Sequence, residues 1–263
     1  MTDDERRRVP GLAGTSHAVF LSRDLDSRAE RPVVSVRFFT AEGELPACGH
    51  GTVAALAFLA AHADGEEYRA ALRVAGRVAE GRVRRGALSS AEVTFGAGPV
   101  RLRAAATAEL ALLLPALGLP PTAVGSGARI ATLGRPRLLV PVATPSALAA
   151  MAPDPGRLAA ACDRLDLLGC FAHSPVSISG RVAARMFAPS IGVPEDIANA
   201  NSSACLAVDL LARQGVTEVA VDMGDALGCP STVTAGARPT TGAGLLADVT
   251  GAARIGHVLR LPR

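Results

Sequence analysis

"VVSVRFF" (33–39) is a short apolar run rich in β-branched residues, which predicts a strand. A few residues later the pattern changes. "GTVAALAFLAAHA" (51–63) is apolar at nearly every position, which predicts a helix buried all round rather than one lying on a surface. "YRAALRVAGRVAEGRVRRG" (68–86) and "AEVTFG" (91–96) read as strands and turns, and "LLLPALGLPPTAVGSG" (112–127) as a short helix entering a crossover. "RIATLGRPRLLVPV" (129–142) then opens a second series. It continues through a helical stretch (146–166), strands at 170–176 and 181–189, a helix at 201–214, and closing strands "VTEVAVDMG" (216–224) and "RIGHVLRL" (254–261).

The two series echo each other. "RFFTAEGELPACGHGTVAALAFLA" starts at Arg37 and "RMFAPSIGVPEDIANANSSACLAVDLLA" at Arg185. Each runs Arg, apolar, Phe, a proline-containing loop, then small polar residues feeding an apolar helix. The echo predicts two related halves, 1–125 with the Cys48 loop and 126–263 with the Asp196–Ser203 loop.

Composition narrows the chemistry. A net charge of +3, no Trp and one Tyr give neither the basic field nor the stacking surface of a nucleic-acid binder. The runs "ERRR" and "GRVRRG" read as solvated faces. No apolar run reaches the roughly 20 residues that span a bilayer, and the first residues lack a signal peptide's apolar core, so a cytoplasmic protein is expected. All 27 basic residues are Arg. Without Lys the chain cannot form the Schiff base of pyridoxal phosphate enzymes or fill the phosphate-gripping position of a P-loop. Five cysteines (48, 162, 170, 205, 229) show no CxxC spacing, so neither a zinc site nor a disulfide framework is expected, and most should be buried thiols. "TGAGLLADVTG" (241–251) contains a bare GxGxxA without the strand–helix context that a dinucleotide fingerprint needs. His62, His173 and His257 are scattered.

The two loops have more to offer. Each delivers small residues to the first turn of an apolar helix, where backbone N–H groups lack intrahelical partners and the macrodipole is positive. Such a start suits a substrate carboxylate, and Gly49 and Gly51 open the first of them to close approach. Cys48 sits at its rim, where helix starts lower thiol pKa values toward neutrality, the range general acid/base work requires. Thr52 follows in the same turn. In the second loop Asp196, Asn199, Asn201, Ser202 and Ser203 are candidates to cap the helix and hold the substrate. His50 is a candidate to orient the loop or touch the substrate.

These motifs carry a resemblance. "CGHGT" resembles the first cysteine motif of proline racemases and hydroxyproline epimerases. "ELPACGHGT" is similar to the Glu-Leu-Pro-Phe-Ala-Gly-His-Pro loop of PhzF-like enzymes, and "RMFAPSIGVPEDIANANSSA" to their Arg-Met-Phe-Ala-Pro…Gly-Val-Pro-Glu-Asp-Pro-Ala-Thr-Gly-Ser-Ala loop. The resemblance to this branch of the diaminopimelate epimerase and proline racemase superfamily spans roughly residues 12 to 261. It implies an α+β fold of two pseudo-symmetric halves, each a curled, mostly antiparallel sheet around a central helix, with the site in the cleft between them. It also implies proton transfer at carbon with no cofactor and no metal.

Departures refine the expectation. The PhzF-like acid/base is a glutamate in a Ser-Glu-Thr-Ala-Phe-Val strand; here "SHAVFL" carries His17. The second racemase cysteine corresponds to Ala200, with Cys205 a turn further on. Family members carry about 40 residues before the Ser-Glu strand; here 15 precede Ser16, a shortened first half whose edge a partner chain, in a homodimer, would cover. One base suffices to shift a double bond, whereas inverting a stereocentre ordinarily takes two. The expected activity is therefore a double-bond or proton shift on a carboxylate-bearing amino or imino acid of specialised metabolism. Resembling proteins perform such a step on 4-alkylidene-proline intermediates of lincomycin-type antibiotics. Catalysis would rest on Cys48, with His17 and His50 as partners. An epimerase or racemase, a dehydratase, and a non-catalytic carboxylate-binding relative stay open.

Overall fold

The computed structural model describes residues 1–23, 33–86, 90–120, 122, 124, 127–240 and 244–256. Its contacts divide the chain into one unit of 1–96 and 250–263 and another of 97–249. The expected division at 125 lies inside the second unit, and the chain returns to the first at its end. Two long strands make the difference: β6 (Ser90–Ala104) and β14 (Leu245–Arg254) each carry the chain from one unit's residues into the other's.

In the first unit, β1 (Ala18–Arg23) pairs antiparallel with β2 (Val33–Phe39), the expected strand, whose Val34, Val36 and Phe38 face the core. A two-residue strand, β3 (Glu44–Leu45), folds back on β2, and α2 (Gly49–Ala61) follows. The chain re-enters beside β2 as β4 (Glu67–Val74), parallel to it, and then β5 (Arg77–Arg85) and β6 continue antiparallel. α2 packs so closely on β5 that a Cβ at Gly81 would lie 2.5 Å from Leu56 Cδ1. At its C-terminus the Arg85 guanidinium donates to the Ala60 and Ala63 carbonyls.

The second unit repeats the plan. β10 (Arg181–Ala188) takes a short antiparallel partner, β11 (Val193–Asp196); α6 (Ala200–Gln214) follows, and β12 (Glu218–Met223) returns parallel to β10. β13 (Ser231–Pro239) lies antiparallel to β12, while β9 (Cys170–His173), β8 (Arg135–Pro141) and β7 (Arg129–Leu133) extend the other side. Helices α3 (Thr107–Ala116), α4 (Pro145–Ala149) and α5 (Pro155–Arg164) complete it. Leu113, Leu117, Leu138, Leu158 and Phe187 form the heart of an apolar cluster. The result is the expected α+β architecture, a largely antiparallel sheet around one helix in each half.

Several expectations change. α2 is not buried all round: Ala54, Phe58 and Ala61 form an exposed stripe, and the first two line an apolar hollow of about 510 Å³ with Val19, Phe20 and Leu21. The stretch at 146–166 is two helices, because Asp154 caps a new one at Pro155. From Leu245 the GxGxxA segment is strand β14, and the expected strand at 254–261 ends at Arg254, with 257–263 outside the described residues. Cys229 is exposed, whereas Cys162, Cys170 and Cys205 are buried. Neither charge run is merely solvated. The "ERRR" run lies in α1 (Asp3–Ala13), opened by a Thr2–Glu5 capping box, and the Arg6 guanidinium stands 5.7 and 5.9 Å from the Phe20 and Phe39 rings. Among the described residues no helix is long and apolar enough to cross a membrane.

His173 on β9 is buried, with Nδ1 donating to the Ser174 carbonyl at 3.0 Å. Burial pushes its pKa down to about 4, so the folded chain keeps the ring neutral where the unfolded chain, near 6.5, protonates it. The stability this contributes is complete above about pH 6.5 and drains as pH falls toward 4, by roughly 3 kcal/mol at about 1.4 kcal/mol per unit. Urea unfolding at pH 7 and pH 4.5 should show that loss in the wild type and a clearly smaller one in His173→Gln.

Candidate active site

The loop ahead of α2 is braced before its chemistry begins. On β2, Arg37 Nε and Nη2 grip both Glu44 oxygens on β3 at 2.8 and 2.5 Å, and the same guanidinium forks onto Asp3 of α1 at 3.0 Å. The Arg37 guanidinium holds the carboxyls of Glu44 and Asp3 below their usual range. Its cation also lies 5.0 Å from the Phe39 ring.

That bracing delivers Cys48 to the N-cap of α2 in extended backbone (φ −149°). Its Sγ accepts the Gly51 N–H at 3.4 Å, and its carbonyl accepts from both the amide and the hydroxyl of Thr52, at 2.9 and 2.8 Å. The amides of Gly49 and His50 precede the first i to i−4 bond and stay outside the helical ladder. His50 Nε2 comes within 3.4 Å of the sulfur. The His17 ring meets the His50 ring edge-on at 4.5 Å, and its Nδ1 lies 2.9 Å from the Ser16 hydroxyl. His17, Cys48 and His50, from two separate stretches of sequence, therefore form one cluster whose donor atoms all lie within 4.8 Å of one another. Cys48 is buried, His17 half-buried and His50 exposed. Gly51 serves a different purpose from the one expected. A Cβ there would stand 2.8 Å from Phe38 and 3.0 Å from Cys48 Sγ, so its bareness seats the helix on β2 rather than admitting a ligand.

In the second unit, Arg185 on β10 grips both Glu195 oxygens on β11 at 2.8 and 2.7 Å, and its cation lies 4.9 Å from Phe187. The loop leads to Asn199 as N-cap of α6, its Oδ1 accepting the Ser202 N–H at 2.9 Å. Asn199 is thus the counterpart of Cys48 by role, one residue before the Ala200 that sequence matching suggests. Asp196 accepts from the Asn199 side-chain amide at 3.0 Å and so holds the cap. Ser202 and Ser203 point inward. Ser203 donates to the Asn199 carbonyl at 3.0 Å, while Ser202 donates to Met186 Sδ and accepts from Arg137 at 3.2 Å. At this start Asn201 is half-buried and Ala200 buried, and their amides precede the first i to i−4 bond. Cys205 lies in the core, where burial pushes its thiol up.

Arg37, Glu44, Arg185, Glu195 and Arg137 were not singled out from the sequence, although both arginines head the echoed segments and both glutamates lie inside them. Arg137 is fully buried with no carboxylate partner among the described residues. It is held by the Leu133 and Arg135 carbonyls at 2.6 and 2.8 Å and by Ser202, and burial pulls its pKa down. It places a desolvated positive charge beneath the first turn of α6.

Three comparisons bear on this arrangement. Residues 1–253 match the family model PhzC-PhzF, described as phenazine biosynthesis-like protein. An "uncharacterized isomerase" of Deinococcus radiodurans is 28% identical over 218 residues, 82% of this chain and 68% of that protein. A PhzF-family phenazine biosynthesis protein of Bacillus anthracis superposes with a TM-score of 0.79 at 16% identity, covering 97% of this chain and 88% of its own. A hydroxyproline epimerase of Agrobacterium vitis, solved with trans-4-hydroxy-L-proline, superposes at 0.57 and 14% identity, over 91% of this chain and 73% of its own. At these identities the two superpositions speak for the fold.

The two forks differ in depth: Arg185 and Glu195 are each 13% exposed, Arg37 and Glu44 37% and 41%. Glu195→Gln should cost about 2 kcal/mol in urea unfolding, since it leaves a poorly hydrated guanidinium with only carbonyls. Glu44→Gln should cost distinctly less, because water screens that pair.

Proposed function

The chain belongs to the PhzC-PhzF, phenazine biosynthesis-like family, and we propose that it is an isomerase that shifts a proton on a carboxylate-bearing amino or imino acid with Cys48 as the single acid/base. The observation that carries this reading is the 3.4 Å approach of His50 Nε2 to a sulfur that caps α2. In the reaction, the Cys48 thiolate takes a proton from carbon beside the substrate's activating group. The electron pair spreads through the conjugated system, and the thiol returns the proton to a different carbon on the same face. His50 holds the sulfur's proton in line while it is bound there. The first-turn amides of Gly49 and His50, with the positive end of α2, stabilise the negative charge that builds on the carboxylate or enolate. In the second unit Asp196, Asn199, Ser202 and Ser203 hold the start of α6 in shape. A cyclic imino acid of specialised metabolism suits the proline-like recognition suggested by the CGHGT motif.

Geometry counts against an epimerase that uses His17 as its second base. Two bases acting on opposite faces of one carbon, each about 3–3.5 Å away, stand about 6–7 Å apart. The His17 and Cys48 donor atoms lie within 4.8 Å, which puts His17 beside the sulfur.

The test is proton NMR in deuterated water with Δ1-pyrroline-2-carboxylate, 4-alkylidene-prolines and hydroxyproline as probes. Deuterium should enter a vinylogous carbon without inversion at Cα, and Cys48→Ala should slow this by about 10²-fold or more. Inversion at Cα would make the enzyme an epimerase and loss of water a dehydratase. Undiminished turnover by Cys48→Ala would remove the cysteine from the mechanism.

A further inference from the structure

We propose that His17, Cys48 and His50 bind a thiophilic divalent cation, zinc being the ion the donor set selects, in a three-ligand site with one open position. One thiolate and two imidazoles are borderline-soft donors, a combination that favours zinc and its neighbours over magnesium or calcium. Geometry supports the assignment independently of the residue types. With Zn–S near 2.3 Å and Zn–N near 2.0–2.1 Å, a tetrahedral ion separates a sulfur from a nitrogen by about 3.5 Å. Cys48 Sγ and His50 Nε2 are already 3.4 Å apart, and all three donor atoms lie within 4.8 Å, so closure brings the His17 donor inward by no more than about 1.3 Å.

The surroundings fit as well. The Ser16 hydroxyl at 2.9 Å from His17 Nδ1 fixes that ring, as an outer hydrogen bond does for a ligating imidazole. The Gly51 N–H directed at the sulfur favours its thiolate form. The positive end of α2 opposes a bare cation, and the thiolate's charge offsets it. Binding replaces the thiol proton: Cys48–SH and Zn²⁺ give Cys48–S–Zn⁺ and a released H⁺. Metal occupancy and proton transfer at Cys48 therefore exclude one another. This clause, unlike the site itself, rests on the acid/base reading above, and it makes the cation a reversible inhibitor.

Chelator-treated protein titrated with Co²⁺ tests the site by absorption. The expected result is one ion per chain, with a thiolate-to-cobalt charge-transfer band and the intense visible bands of a tetrahedral ion, all displaced by Zn²⁺. Cys48→Ser should lose the charge-transfer band, and His17→Ala and His50→Ala should each weaken binding by at least about tenfold. An octahedral aquo spectrum, or a thiolate band that survives both histidine variants, overturns the site. Deuterium exchange into the probe acids, measured on the same samples, separates the two readings. Exchange by chelator-treated protein with no thiolate band on cobalt addition overturns the metal site and leaves the acid/base. A thiolate band without exchange in any preparation supports the site and removes the acid/base. Exchange undiminished at saturating zinc overturns the inhibition.

Discussion

An arginine on a central strand, clasping a glutamate on the short strand that folds back upon it, sets the path by which the loop enters its helix in each half. Arg37 with Glu44 and Arg185 with Glu195 make the same two-pronged contact, and each guanidinium lies about 5 Å from the phenylalanine two residues on. Such a contact restrains direction as well as distance. The loop that leaves it enters its helix along a fixed path, and the N-cap residue occupies a fixed point. Without the clasp, a loop rich in glycine, alanine and proline would have many paths to the helix, and ordering one of them would cost entropy at every residue.

On this shared scaffold the two caps have diverged. The arginines are 148 residues apart but the caps, Cys48 and Asn199, are 151 apart, so the second loop is three residues longer. Both cap side chains accept the amide three residues on, one through sulfur and the other through an amide oxygen. Only the first brings a titratable group. The second half instead places the buried, carboxylate-free charge of Arg137 under its helix start.

Much of the plan was legible in the sequence because its signals are local. β2, β12 and α6 follow period and capping rules, and Cys48 and His50 stand two residues apart in one motif. What escaped depends on partners distant in sequence. His17 lies 31 residues from Cys48, and only the family resemblance drew attention to it. β13 and β14 are rich in Ala, Gly and Thr and owe their strand form to pairing rather than to an apolar alternation. α2 is apolar on every side, so periodicity could not reveal that Ala54 and Phe58 face outward. α1 hid behind a run of charge, although Thr2 and Glu5 stood at capping-box spacing. Ser202 and Ser203 were correctly placed at a helix start, but which way a hydroxyl turns depends on Met186 and Arg137, far off in sequence.

The clamp at the far end of α2 works together with two contacts along the helix. Arg85 ties the last carbonyls of the helix to β5, Leu56 is seated over the bare Gly81, and Phe38 fills the space that Gly51 leaves. Stopped at both ends and at its middle, the rod cannot slide along its own axis within this unit. The reach of its terminal sulfur is therefore a fixed length. On the proposed chemistry, a molecule whose reacting atom falls short of it is refused by dimension alone, and widening the range of acceptable guests means loosening a helix end some 20 Å away, at about 1.5 Å per residue, rather than reshaping the mouth.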